Sequence, residues 1–263
     1  MNAAPLRVAA LQSSLVWADP LANVAAMSAA VEAAGQADLY VLPEMFTTGF
    51  ATRPEGVAEL LSDGSCVGLD WMRRISHERG CAVAGSIAVC EDGRYFNRFC
   101  FVAPEGEWFY DKHHLFTYSG EHERFCAGSE RVVVEWRGWR IRLAVCYDLR
   151  FPGWLRNVAD GARTAAGAYD LLLVVASWPE PRAAAWKSLL RARAIENQCY
   201  VVGVNRVGTD PACVYSGDSA IIDAYGSAIA ECDPGVECAA VATLDPCALS
   251  SFRASFPVLA DAD

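Results

Sequence analysis

The sequence predicts an α/β fold with a mixed sheet or two sheets. Apolar strands and helices alternate through the front half, strands cluster in pairs elsewhere, and no linker-like stretch interrupts the interior. Apolar residues make up 53% of the 263 and charged residues 21%, enough for a sizeable core. No internal repeat of about 20–50 residues is visible, so residues 1–263 are expected to form a single domain.

Leu6–Gln12 is a short apolar strand, and Leu21–Ala34 is an Ala-rich helix with Val24, Met27 and Val31 at helical spacing. Gly35 closes that helix. Asp38–Glu44 reads as a buried strand ended by Pro43 and a carboxylate. Leu60–Arg79 reads as a helix with Leu69, Met72, Ile75 and Ser76 on one face, stopped by Gly80. Cys81–Cys90 and Phe96–Pro104 are strands joined by the Glu91-Asp92-Gly93 turn. Glu107–Tyr110 leads into Asp111–Phe116, followed by a polar loop to Gly128. Trp139–Val145 alternates polar and apolar before turning wholly apolar, as a strand does on entering a buried sheet. It ends at Cys146, and Pro152 is expected to start a helix. Beyond it come a strand (Tyr169–Trp178), a helix (Pro181–Asn197) and three strands (Cys199–Val207, Ser219–Ala224, Cys238–Leu244).

The formal net charge of −10, from 22 basic and 32 acidic residues, argues against broad binding to nucleic acid or anionic membranes. Eleven scattered cysteines without a C-x-x-C pair suggest neither a zinc ribbon nor a thioredoxin-type site. The N-terminus lacks a signal-peptide core and no apolar run is long enough to span a membrane, so a soluble, reduced, cytoplasmic protein is expected. No H-E-x-x-H, G-x-G-x-x-G or P-loop occurs, so neither a metal nor a nucleotide cofactor is expected.

Three reactive groups stand at the ends of apolar, strand-like segments: Glu44, Lys112 and Cys146. Singly, each has an ordinary fate, as a solvated carboxylate, a surface lysine and a packing cysteine. Together they can meet at one edge of a sheet, where open α/β folds place their ligands. A thiol with a pKa of about 8.5 is mostly protonated at neutral pH and needs a base. Glutamate can take its proton and lysine can stabilise an oxyanion, giving a thioester that water then opens. A papain-like site would use histidine as base, which leaves His113 and His114 as alternatives, although packing beside Lys112 is their more ordinary role. Cys146–Arg150 is not a cysteine-phosphatase loop, because Pro152 stands where the arginine would be. Trp178 suits a pocket wall or a core position, and Arg150 suits a substrate carboxylate or an ion pair with Asp148.

LPEMFTTGF (42–50), DKHHLF (111–116) and AVCYDLRFP (144–152) resemble, in order and spacing, the three catalytic signatures of the nitrilase superfamily of carbon–nitrogen hydrolases. The resemblance continues through RARAIENQCYVVGVNRVG (191–208) and SGDSAIIDAYG (216–226). SGEHERF (119–125) and SWP (177–179) are most similar to the bacterial ω-amidases, which remove the side-chain amide of 2-oxoglutaramate. The resemblance implies a four-layer α-β-β-α sandwich that often dimerises, a small amide substrate and no cofactor. It implies Cys146 as nucleophile, Glu44 as general base, and Lys112 with the backbone N–H of Tyr147 as oxyanion hole. A second glutamate follows the lysine, Glu121 or Glu123, and spacing favours Glu121. Tyr147, Arg150, Trp178 and Phe116 are the expected substrate contacts, with Arg150 first and Arg206 second to hold a carboxylate. Rival readings are an N-carbamoyl-amine hydrolase, a nitrilase, or a non-catalytic interaction module on this fold.

Overall fold

Along Leu6–Gln12, successive side chains enter two different cores: Leu6, Val8 and Ala10 join one, Ala9 and Leu11 the other. Side chains of a strand alternate between faces, so a run that is apolar throughout is buried on both. The same division holds further on, where Leu39, Val41, Ala82 and Ala84 face one core and Tyr40, Val83, Ile87 and Val89 the other.

The computed structural model describes residues 3–61, 66–158 and 167–261. The chain begins β1 (Leu6–Gln12), α1 (Pro20–Ala34), β2 (Leu39–Val41), β3 (Glu59–Leu60), α2 (Val67–Arg79), β4 (Ala82–Glu91), β5 (Arg94–Ala103) and β6 (Gly106–Asp111). It continues β7 (Val133–Trp136), β8 (Trp139–Val145), β9 (Leu171–Ala176), α3 (Ala183–Asn197), β10 (Tyr200–Asn205), β11 (Val207–Thr209) and β12 (Val214–Ser216). It closes with β13 (Ala220–Ile222), β14 (Ala228–Glu231), β15 (Cys238–Leu244) and α4 (Pro246–Ser255). One sheet has the order β15-β1-β2-β4-β5-β6, with β3 beside β4; the other has the order β14-β13-β10-β9-β8-β7. A core shared by both sheets includes Val8, Val41 and Phe99 from the first and Leu143, Val174 and Val202 from the second. Met27 and Val31 of α1 and Met72 and Ile75 of α2 cover the outer face of the first sheet. Trp186 and Leu190 of α3 and Leu249 of α4 join the core on the second. The architecture is an α-β-β-α sandwich.

Local chemistry explains the boundaries. Asp19 accepts the Ala22 N–H and Pro20 occupies the first turn of α1, while Gly35 (φ 71°) ends it. The β4–β5 hairpin turns on Asp92 and Gly93, both at positive φ, in the two-residue geometry that matches strand twist. Elsewhere the structure departs from expectation. The helix expected from Leu60 starts only at Val67: Leu60 pairs with Cys90 in the sheet, and Glu59 Oε1 accepts the Gly68 N–H at 2.9 Å, capping the first turn. Residues 62–65 of that expected helix lie outside the described residues. Pro152 begins no helix among the described residues. Cys146–Arg150 forms a 3-10 turn instead, and Phe151 N→Asp148 O and Trp154 N→Phe151 O continue its tight i→i+3 bonding. The strand expected over Cys199–Val207 breaks at the buried Arg206, between β10 and β11. Strands β3, β7, β12 and β14 and helix α4 are additional to those expected.

The site follows from strand direction. β2 and β4 are parallel, and β5 is antiparallel to both β4 and β6. β2 and β6 therefore run the same way and deliver Glu44 and Lys112 to one end of the first sheet. β8 and β9, parallel to each other, deliver Cys146 and Ser177 from the second.

Candidate active site

Glu44 lies on a segment that continues along β4 after β2 ends, pinned by Leu42 N→Ala84 O at 2.7 Å and Phe46 N→Ser86 O at 3.0 Å. The turn after it places Met45 at φ 45°, with its N–H on Ser86 Oγ at 2.9 Å. The Glu44 side chain is wholly buried, and both its oxygens are engaged. Oε2 accepts the Ser177 N–H at 2.7 Å; Oε1 accepts Lys112 Nζ at 2.9 Å and Asn97 Nδ2 at 2.7 Å.

Lys112 directly follows β6, and its backbone N–H donates to Asn97 O at 3.0 Å. Its ammonium, also wholly buried, donates to both oxygens of Glu121 at 3.1 and 2.9 Å. Burial disfavours that charge, yet the Glu121 and Glu44 carboxylates outweigh it and raise the Lys112 pKa, so the lysine stays cationic. Glu121 is buried on a short 3-10 turn and accepts the Phe116 N–H at 2.6 Å. Burial pushes its carboxyl up, opposed chiefly by Lys112. Glu123, two residues on, is exposed.

Cys146 stands at the junction of β8 and the 3-10 turn with φ 45°, a strained value for a residue with a Cβ. Its thiol is pushed well up, by burial first and by the nearby Glu44 carboxylate second, with Lys112 opposing. At neutral pH it rests as a thiol. The first N–H groups of the turn, including that of Tyr147, have no partner within it. Asp148 holds the turn in place: it accepts Val145 N–H at 3.0 Å, Tyr110 O–H at 2.8 Å and His114 N–H at 2.9 Å. That carboxylate ties the cysteine turn to the segment carrying Lys112. His114 Nδ1 also meets Asp148, at 2.8 Å, and its ring stacks on Phe151; His113 Nδ1 meets Gly128 O at 2.6 Å and its ring stacks on Trp154. Both histidines are packing and orienting groups.

A cavity of about 420 Å³ opens onto Cys146 and is also lined by Tyr147, Phe116, Trp178, Arg150 and Arg182. Arg150 lies 4.8 Å from the Trp178 ring centroid and Arg182 lies 5.5 Å from that of Phe116. Neither guanidinium has an ion pair among the described residues, and Asp148 is committed elsewhere. Arg206, the second arginine expected to meet a carboxylate, is wholly buried and is not among the cavity's lining residues. It donates to the carbonyls of Leu15 and Thr209 at 3.0 and 3.1 Å.

Glu44, Lys112, Cys146 and Glu121 thus converge, but between the two sheets rather than at one sheet's edge. Asn97, Ser177 and Arg182 were not singled out from the sequence, and Asp148, expected there only as an ion-pair partner for Arg150, instead anchors the cysteine turn. Asn97 had a signal: on β5 it shares the face of Phe99 and Phe101, where a polar residue is out of pattern. Among the described residues, no group of three His, Cys, Asp or Glu side chains is arranged to hold a metal ion.

The family model described as carbon-nitrogen hydrolase matches residues 7–254. The omega-amidase YafV of Escherichia coli is 45% identical over 260 residues, 98% of this chain and 97% of that one. The 2-oxoglutaramate amidase of Bacillus subtilis is 36% identical over 228 residues, 85% of each chain. Among solved structures, XC1258 of Xanthomonas campestris, a CN-hydrolase superfamily protein with an arsenic adduct in its active site, superposes with a TM-score of 0.93. It is 44% identical and the match covers 99% of this chain and 98% of that one. The chain belongs to the carbon-nitrogen hydrolase family. Within it, this protein is an amide hydrolase of the nitrilase superfamily.

Proposed function

We propose that the chain hydrolyses the terminal amide of a small dicarboxylic acid monoamide, 2-oxoglutaramate or a close analogue, through a thioester on Cys146. The observation that carries this reading is Arg150, a guanidinium without an ion pair among the described residues, on the wall of the cavity that opens onto Cys146. In a chain of formal charge −10, a local cation there offsets a field that repels anionic substrates. The relatives whose names specify ω-amide and 2-oxoglutaramate hydrolysis support the same substrate.

In this reading the Cys146 proton passes to Glu44 as Sγ attacks the amide carbon. Lys112 and the Tyr147 N–H receive the oxyanion, and Glu121 holds Lys112. Protonating Glu44 weakens its hold on Lys112, so an N–H is released as the oxyanion forms. The C–N bond then breaks, with the Glu44 proton going to the nitrogen that leaves as ammonia. Water attacks the thioester and gives a proton to Glu44; the C–S bond breaks, releasing the acid, and the proton returns to sulfur.

Ammonia release from 2-oxoglutaramate, succinamate, butyramide, a nitrile and an N-carbamoyl amine tests the proposal. The charged monoamides should lead butyramide by at least about tenfold in kcat/KM, the value of one charge-assisted hydrogen bond. Equal values for succinamate and butyramide would remove the carboxylate pocket. A lead for the nitrile or the N-carbamoyl amine would replace the amide by that substrate, and no turnover of any of them would favour the interaction module.

The chain is further read as a single domain over 1–263, supported by the core common to both sheets. A homodimer is supported by Ile195, Tyr225 and Phe256, exposed apolar side chains on the second-sheet side. A cytoplasmic setting is supported by the free thiols of Cys81, Cys100, Cys199 and Cys232. Among the described residues no helix is long and apolar enough to cross a membrane.

A further inference from the structure

Asn97 is wholly buried, and its Nδ2 donates to two carboxylates at once: Glu44 Oε1 at 2.7 Å and Glu121 Oε1 at 3.2 Å. Its Oδ1 has no hydrogen-bond partner among the described residues. A buried amide usually pairs both ends, because an orphaned acceptor loses its hydration without replacement. The reversed amide would be worse, setting Oδ1 against two carboxylates and leaving the NH₂ group bare. The carboxylates therefore dictate the orientation of Asn97, and the orphaned oxygen is the consequence.

The charge count shows what the donor is for. Glu44 and Glu121 share a single cation, Lys112, so the buried cluster keeps one uncompensated negative charge. Cys146 faces them from the end of β8 with its thiol hydrogen-bonded to Glu44, and among the described residues the backbone donors to the pair are the neutral N–H groups of Ser177 and Phe116. The ring of Phe50 covers Lys112, with Nζ 5.2 Å from its centroid. Burial and the Glu44 charge both favour a proton on Glu121. A proton captured from solvent by this pair would abolish the acceptor that the Cys146 thiol requires.

We propose that Asn97 is a positioning residue of this amidase, its side-chain amide bridging Glu44 and Glu121 so that both remain ionised and Glu44 stays free to take the thiol proton. This rests on Glu44 being the general base. A hydrogen bond to the charged form favours that form, so removing the bridge raises the proton affinity of the pair. The acid limb of the activity profile then moves to higher pH.

The test is the pH dependence of kcat/KM for succinamate in Asn97→Leu and Asn97→Ser. Leucine keeps the volume without a donor, and serine restores a shorter one. Neither touches the backbone bond from Lys112 N to Asn97 O. The acid limb of Asn97→Leu should rise by about one pH unit, a tenfold change in proton affinity, with a smaller rise in Asn97→Ser. Above the limb, kcat should fall while KM changes little, since Asn97 does not line the cavity. An acid limb coincident with wild type in a folded variant overturns the inference, and Asn97→Ser decides alone if the leucine variant does not fold. Glu44→Gln is assayed beside them. Activity surviving there removes the general base itself, whereas an inactive Glu44→Gln with unmoved limbs in the Asn97 variants removes only the bridge.

Discussion

Lys112 Nζ and Glu44 Oε1 lie 2.9 Å apart with both side chains fully excluded from solvent, and they join the ends of β6 and β2 across the two strands between them. Glu121 closes the cluster at 2.9 Å from the same nitrogen. A buried ammonium between two carboxylates is tolerable only because each charge is the other's solvation.

Lys112→Met leaves Glu44 and Glu121 buried without a counter-charge. Breaking a buried pair from one side typically removes about 3–5 kcal/mol of stability, so urea unfolding should show a midpoint well below wild type. Activity should be lost together with the oxyanion donor. A Lys112→Met protein as stable as wild type would contradict the charge accounting.

Cys146→Ala should abolish turnover and leave the fold intact, since Cys146 is the cavity-lining thiol that Glu44 and Lys112 face. Circular dichroism and an ammonia assay check the two halves. Retention of even about a tenth of wild-type kcat would reassign the nucleophile.

Glu44→Gln separates the two effects of the carboxylate. Its charge helps hold the Cys146 thiol above its ordinary range, so the amide should shift the thiol titration down and increase thiolate at a given alkaline pH. Turnover should nevertheless fall by about 10²–10⁴-fold, because the proton acceptor for both half-reactions is gone. Thiolate absorbance, taken as a difference against Cys146→Ala, measures the first and steady-state kinetics the second. Replacing His113 and His114 together should reduce kcat far less than Glu44→Gln; the opposite ranking would restore a histidine base.

Arg150→Met should lower kcat/KM for succinamate by roughly 10- to 150-fold, the range of one charge-assisted contact. Butyramide, which lacks the carboxylate, should be turned over about as before, so the variant should scarcely distinguish the two amides. Unchanged discrimination would shift the carboxylate contact to Arg182, the other lining guanidinium without an ion pair among the described residues.

Much of this was legible locally. The apolar run of Leu6–Gln12 and the three-to-four spacing of Val24, Met27 and Val31 are properties of a few consecutive residues, and they placed those elements correctly. The same kind of signal was present but unused at Asp245-Pro246, where an N-cap and a first-turn proline open α4. Glu44, Lys112 and Cys146 were visible as reactive groups closing apolar segments, because a polar residue at the end of a buried run stands out from its neighbours. The sequence by itself therefore determined most of the element types and the reactive groups, while the four-layer arrangement was what the resemblance to the nitrilase superfamily implied. Only the tertiary structure decided that these groups meet between two sheets. Strand order and direction set that meeting, and no local period encodes either. It likewise placed Arg150, at the end of the turn after β8, on the cavity wall and buried Arg206, directly after β10, against backbone carbonyls. It also turned the amide of Asn97 onto two carboxylates that lie 53 and 24 residues away in the chain. A buried polar group is defined by what lies opposite it, and packing alone supplies that partner.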